Sequence, residues 1–511
     1  MPRTPLPPPL VAILLTLVAA PLAAETDYVT YESFGARGDG KANDLPAIQK
    51  AHQYANERLL PVRAKSGATY RIGVGGPAVI KTDTDFRDAV FLIDDSTLTV
   101  QEGQVNVFAV ESDRDPWAVT VQAPLSPAST TIGTTLPARA LLVVTDNTRR
   151  HFIRYGLNQN NGVPASDVLL VEKDGSLHPS TPPVWEFPQV TSAMAYSAED
   201  RPITIRGGIF RTIANRAESK YTYHARGFFV NRSNVTLEGM AHYVVGEGPS
   251  GAPYTGFFFF KNCYNCLLKD TRVTGHKTYS TIGSAGKPVT MGSYDLGAHR
   301  AVRLTFQNVT QTNSIHDTTK WGIMGTNFCR DLLLEGCTLS RFDAHQGVAN
   351  VTIRNCALGY AGVNLIGYGT FLMENTWVHS RWMTHLRGDY GSTWDGNMVI
   401  RNCVLAPPEN SPHTGLVDGY NLGNHDFGHP CRMPATITVQ GLKILDKTPK
   451  GAIPVFLFAN FLPGRKAKRG PIPYPLTGKV ILRGVFTESG KPPRLSLHPT
   501  LFRNTQVLYQ R

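Results

Sequence analysis

DLLLEGC (Asp331–Cys337), NVTIRNC (Asn350–Cys356) and TFLMENT (Thr370–Thr376) repeat one phrase: apolar, Thr or Leu, apolar, a variable residue, then Gly or Asn and a small side chain. The steps from Gly336 to Asn355 and from Asn355 to Asn375 are 19 and 20 residues. Outward from this core the phrase recurs as NVTLEGM, NCLLKDT, AVRLTFQNV and NMVIRNC, and more faintly as ITVQGLKI and VILRGV. Its markers are Gly239, Asp270, Asn308, Gly336, Asn355, Asn375, Asn402, Gly441 and Gly484. Short β-branched strands separated by Asn/Gly turns at a period near 20 residues specify a solenoid of β coils. Helical patterning is nearly absent here, which excludes leucine-rich and helical repeats. Equivalent positions of such coils stack about 4.8 Å apart. Cys337, Cys356, Thr376 and Cys403 follow their markers in phase, so they are expected as an inward ladder of small apolar groups rather than as disulfide partners.

Seven cysteines and a formal charge of +12 frame the rest. The odd count and the spacing argue against a disulfide framework. Cys263 and Cys266 match a zinc half-motif by spacing alone, with no second pair at finger distance. Only 18% of residues are charged, which disfavours nucleic acid. The alternatives are an anionic glycan partner or a surface that is merely basic.

Arg3, the apolar run Leu10–Ala20 and the small residues up to Ala24 read as a cleavable signal peptide, too short to span a membrane. A secreted or periplasmic protein is expected after cleavage near Ala24. The chain then divides into an N-terminal cap and first coil (25–74), irregular early coils carrying an inserted β-rich subdomain (75–200), and a parallel β-helix with C-terminal strands (201–511). The basic, Pro-rich stretch Pro463–Pro475 reads as a loop.

FGARGDGKAND (Phe34–Asp44) opens the cap and admits several readings. Its glycines are not in phosphate-loop order, since no Gly-Lys-Ser/Thr follows. Asp39, Asn43 and Asp44 could hold calcium, or Asp39 could tie a turn. Next, Leu45, Ile48, Ala51 and Ala55 share one helical face, Asn43 or Asp44 can cap the helix, and Pro46 sits in its first turn. A helix laid over the open end of a solenoid covers its apolar stack.

The stretch YESFGARGDGKANDLPAIQKAHQYAN (Tyr31–Asn56) resembles the N-terminal signature of the pectate-lyase-like superfamily of right-handed parallel β-helices. That signature occurs in polygalacturonase-like hydrolases, rhamnogalacturonases and phage tailspikes. The resemblance implies an all-β, right-handed parallel β-helix with a structural cap, acting on a polysaccharide in a groove along one sheet. The polygalacturonase motif set is not found, and FDAHQG is a distant echo of it. The calcium-binding carboxylates of pectate-type lyases are not evident. No cofactor is called for, and calcium stays open.

Aligning the coils on Gly227, Gly297, Gly325, Gly347, Gly367 and Gly388 places His224/Arg226 and His385/Arg387 at equal offsets, and Asp295 with His345. A one-residue slip would turn each to the other face. Asp343, Asp389, Tyr390 and Asp395 stand close behind, and Trp377, Trp382 and Trp394 offer either sugar-stacking surface or core. As singletons, Asp and His at solenoid corners mostly hold turns. A hydrolase would pair Asp343 with Asp389 or Asp295 as acid and base or nucleophile. A lyase would use His345 or His385 as base, with Arg387 or Arg226 on a uronate carboxylate. The catalytic candidates are thus Asp295, Asp343, His345, His385, Arg387 and Asp389. The substrate-binding candidates are His224, Arg226, Tyr390, Trp394 and Asp395. The signature accompanies hydrolases more often, which tips the expectation to hydrolysis of an acidic polysaccharide. Elimination by a lyase and a non-catalytic glycan-binding surface protein are the alternatives. The oligomeric state is open.

Overall fold

The computed structural model describes residues 27–218, 222–420, 426–462, 472 and 474–510. The stretch expected as a signal peptide and nearly all of 463–475, expected as a loop, lie outside them. Thirty-five strands join in one continuous sheet whose pairings are all parallel, each coil resting on the one before it. The protein is a parallel β-helix.

Two faces concern function. The front sheet contains Phe228–Asn231, Phe258–Lys261, Leu296–His299, Met324–Asn327, the later parts of Thr338–Gln346 and Ala357–Leu365, then Trp382–Leu386 and Thr414–Asp418. The back sheet runs from Val235–Glu238 through Val302–Gln307 and Val348–Arg354 to Gln506–Gln510. Alternate side chains of each strand fill one core extending from Val29 to Phe502. In the early coils this core is a stack of rings: Phe108 on Phe228 at 4.6 Å, and Phe228 on Phe258 at 5.7 Å between centroids.

Every marker read from the repeats has positive φ, from 47° at Asn375 to 66° at Gly441. Only Gly, and less readily Asn or Asp, adopts this conformation without strain. The polar markers also bond along the axis, as Asn375 Nδ2 does to Asn355 Oδ1 at 3.2 Å. Cys337, Cys356 and Cys403 are free and buried. Cys337 N lies 3.3 Å from Cys356 Sγ, and Cys356 N lies 3.3 Å from Thr376 Oγ1.

The helix Leu45–Arg58 buries Leu45, Ile48, Ala51 and Ala55 over the first coil. Asp44 occupies the N-cap position but turns its carboxylate back to the N–H groups of Arg37 (2.7 Å) and Gly38 (3.1 Å). Asp39 accepts from Lys41 and Ala42 N–H at 2.9 Å each. The carboxylates considered for calcium therefore tie the turn, and among the described residues no group of three or more His, Cys, Asp or Glu is placed to hold a metal ion.

The insertion is a four-stranded antiparallel sheet of Trp117–Ala118, Ala140–His151, Val163–Val171 and Ser192–Ser197. Its core continues into Phe328, Ala349, Ile366, Tyr368 and Tyr390 of the β-helix. It therefore stands along one margin of the front sheet, locked by Arg330 to Asp167 at 2.6 Å. Among the described residues no helix is long and apolar enough to cross a membrane.

Candidate functional site

The observed register differs from the glycine alignment. Gly297 pairs with Gly325, and Gly325 pairs with Asp343 rather than with Gly347. Gly347 instead precedes the back-sheet strand Val348–Arg354. The Thr338–Gln346 and Val348–Arg354 strands are nearly continuous, so the glycine marks a later corner in these tighter coils. Asp295 accordingly does not share a row with His345. The true outward row of the front sheet is Phe229, Phe259, Gly297, Gly325, Asp343, Asn364, His385 and Asp418.

Three groups of polar side chains result. The first surrounds Asp343, which has no exposure although it lies on an outward row. Arg387 Nη1 reaches both of its oxygens at 2.8 and 2.9 Å, Arg341 Nη2 lies at 2.8 Å, and the Tyr294 hydroxyl donates at 2.7 Å. Arg387 also bonds Asp389 at 3.0 and 3.3 Å, and Arg154 from the insertion closes on Asp389 at 2.7 Å. Burial pushes both carboxyls up, but Arg341 and Arg387 at Asp343, and Arg387 and Arg154 at Asp389, outweigh it and hold both low. Both are ionised and fully partnered, so neither can act as a proton-bearing acid. His345 sits at a bulge beside this cluster, with Nδ1 3.1 Å from Asn327 Oδ1. Burial and the nearby Arg387 pull it to about 3, so the ring is neutral at ordinary pH.

The second group is internal to the early coils. Asp295 accepts from His242 at 2.8 Å, from Thr274 N at 2.8 Å and from His276 at 3.3 Å, with Glu247 3.5 Å beyond His276. His242 also contacts Thr212 Oγ1 at 2.9 Å and stacks on Phe257. Arg226 is paired with Asp95 at 2.9 Å and with Gly73 O at 2.8 Å, both acid and base being almost wholly buried. His224 is buried against Gly103, where a Cβ would meet its ring at 1.9 Å. Asp295, His224 and Arg226 are therefore braces of the N-terminal coils with no face toward a polymer.

The third group is open. His385 Nδ1 is 3.0 Å from Asp418 Oδ2, with the two side chains 26% and 21% exposed. Tyr420 flanks the imidazole at 5.4 Å between ring centroids. Burial and Asp418 raise the Tyr420 hydroxyl, which stays protonated, while Arg381 acts on it in the opposite direction. Arg381 donates to His413 O at 3.1 Å and lies over Trp382, and no carboxylate pairs with it among the described residues.

The remaining candidates separate. Trp394 is fully buried, with its indole N–H on Gly369 O at 3.0 Å, and Tyr390 packs into the insertion's core. Neither presents a ring face to a sugar. Trp382 is also core, whereas Trp377 is 47% exposed on a different edge. Asp395 is exposed on the back sheet, 3.7 Å from Arg432. Sequence reasoning missed Asp418, Arg381, Tyr420, Asn364 and Arg154. None of these announces itself locally: matched on the closing glycine, LVDG sets Asp418 opposite Arg387 instead of His385, its actual neighbour.

No family model matches the chain, and no curated protein matches it. Among solved structures, the tailspike gp61 of Pseudomonas phage phi297 is similar with a TM-score of 0.58 and 11% identity, over 94% of this chain and 84% of that one. The tailspike protein gp49 from Pseudomonas phage LKA1 has a TM-score of 0.53 and 14% identity, over 94% and 84% of the two chains. At these identities the likeness is one of fold.

Proposed function

We propose that this protein cleaves a uronate-containing polysaccharide by β-elimination on the front face of its β-helix. The observation that carries this reading is the open His385–Asp418 pair flanked by Tyr420, on whose hydroxyl Arg381 also acts. An acceptor carboxylate on Nδ1 fixes the proton there and leaves Nε2 as the base. In the proposed reaction Nε2 takes the proton on the carbon beside the uronate carboxylate, and Arg381 stabilises the charge that develops. The electron pair forms the new C=C bond, the bond to the glycosidic oxygen breaks, and Tyr420 would return a proton to that oxygen. Hydrolysis fits these residues less well. It calls for a carboxyl that keeps its proton, and the carboxylates at Asp343 and Asp389 are held ionised by arginines.

The Tyr31–Asn56 signature together with the parallel β-helix supports placement in the pectate-lyase-like superfamily, and the N-terminal sequence supports export. The test is digestion of a panel of uronate and neutral polysaccharides. New reducing ends with ultraviolet-absorbing unsaturated sugars are expected, and His385→Ala should lower kcat by about 10²–10⁴-fold with the fold intact. Reducing ends without the chromophore would replace elimination by hydrolysis. Full activity in both His385→Ala and Asp418→Asn would remove the site.

A further inference from the structure

The front face is crossed by part of the insertion. Arg154 and Asn160 pair backbone to backbone at 3.0 and 3.1 Å and close a short loop between them. On the insertion's own margin, Ile153 N donates to Phe427 O at 3.1 Å and the Tyr155 hydroxyl donates to Asp426 O at 3.1 Å. At the tip, Leu157 O accepts from Ala285 N at 3.0 Å, and Asn158 Nδ2 lies 3.8 Å from Met291 Sδ. Ala285 and Met291 belong to the hairpin Tyr279–Ile282/Pro288–Met291, which rises from the opposite margin. A loop held at both margins spans the sheet between them. Its root, Arg154, grips Asp389, which shares Arg387 with the buried Asp343 of the outward row.

We propose that this bridge blocks the groove at one end, so that the protein reads the end of a polysaccharide chain and releases short fragments from it. The inference rests on the reading above, in which the front face carries the polymer. The bridge runs from Asp389, just past the His385 strand, to the hairpin ahead of the Leu296 strand, so a chain lying across the strands would meet it on the Asp343 side of His385. His385 is two coils farther along the same row, about 10 Å away. That leaves room for only one or two sugar rings between the blocked end and the base. The Arg387–Asp343–Asp389 cluster then serves as a rigid end wall, its charges already balanced.

Two variants open the bridge without touching His385, Asp418, Arg381 or Tyr420. One replaces Tyr155–Gln159 by Asn-Gly, a tight hairpin turn that preserves the Arg154/Asn160 pairing. The other is Gly283→Val, because a Cβ there would meet Leu157 O at 2.3 Å. The experiment follows viscosity and reducing ends together on a long uronate polymer, with binding stoichiometry measured on polymers of two lengths. The expected result is slow viscosity loss per bond cut in the natural protein, a narrow set of short products, and a several-fold faster viscosity loss in either variant. Rapid viscosity loss with random fragments from the natural protein would overturn the bridge proposal and leave the catalytic reading standing. If nothing is cleaved but the polymer binds, one protein per chain at both lengths upholds end reading and rejects catalysis. Stoichiometry rising with length rejects end reading, and failure both to bind and to cleave rejects it together with the glycan reading.

Discussion

Along the back sheet one outward row runs Asp85, Arg206, Glu238, Lys269, Gln307, Glu335, Arg354, Glu374 and Arg401, while the front row through Asp343 runs Phe229, Phe259, Gly297, Gly325, Asp343, Asn364, His385 and Asp418. The backbone is the same parallel ladder in both. In the back row, acids and bases largely alternate because stacked like charges repel. The pairs are exposed, as with Arg206–Asp85 at 2.9 Å and Arg401–Glu374 at 2.9 Å. In the front row the charges are fewer and irregular, Asp343 being buried while His385 and Asp418 stay open. A repeating scaffold tolerates regular polar rows as solvated surface. Departures from regularity, roofed or aimed at a partner, mark where the fold has been adapted to a task.

Removing one ion from each row tests the contrast most severely. Arg387→Ala strips Asp343 of its bidentate partner in a site without solvent, and the expected loss is about 3–5 kcal/mol in urea denaturation. Restoring a neutral partner set with Asp343→Asn in the same chain should recover part of that loss. If Arg387→Ala costs no more than a back-row variant, the front cluster is not a buried network.

The two groups of histidines give the next largest effect, with opposite signs. Burial pulls His276 down, but its bonds to Asp295 and Glu247 outweigh this and raise it to about 9. Its contribution is therefore complete below about pH 6.5 and lost as pH rises toward 9. Burial and neighbouring cations take His345 and His299 to about 3, so their contribution is complete above about pH 6.5 and lost as pH falls toward 3. Thermal melts across pH should show His276→Gln flattening the alkaline limb and His345→Gln flattening the acid limb. The same flattening in both variants would mean that the two groups are not electrostatically separate.

How much of this was legible depended on how local the signal is. The coils were, because each marker must reach positive φ on its own and advertises this as Gly, Asn or Asp. The cap helix was legible for the same reason, its apolar face lying within 14 residues. The site was not, because the front row's register depends on corner lengths that vary from coil to coil. Near Gly347 the corner is tighter, and an alignment on glycine shifts His345 off its assigned row. Arg154 is distant in sequence from Asp389, and nothing in either local sequence announces the pairing. His385 was found and its partner Asp418 was not, since 33 residues and a long loop separate them.

The turn markers permit a third test, at the boundary between the faces. Asn355 holds φ 55° on the axis-parallel ladder. Asn355→Ala should cost about 1–2 kcal/mol, since an ordinary L-residue is strained there, whereas Asn355→Gly should be close to neutral. Equal losses would assign the cost to the missing Asn375 bond instead of to the backbone.

The smallest effect is expected where the row is most regular. Arg401 is 49% exposed and Glu374 25%, with their 2.9 Å pair repeated in kind on the coils before them. Water already solvates such groups well, so Arg401→Ala should cost at most about 1 kcal/mol, and less as salt is added. The informative variant is Arg401→Glu, which sets a second carboxylate one coil step from Glu374 and leaves the rest of the row as it was. Coulomb repulsion between half-exposed groups at that spacing should exceed the loss from Arg401→Ala and fall with ionic strength. A charge reversal that is silent at low salt would show that the alternation along the back sheet is incidental, and the regular row would lose its value as the reference against which the front face is read.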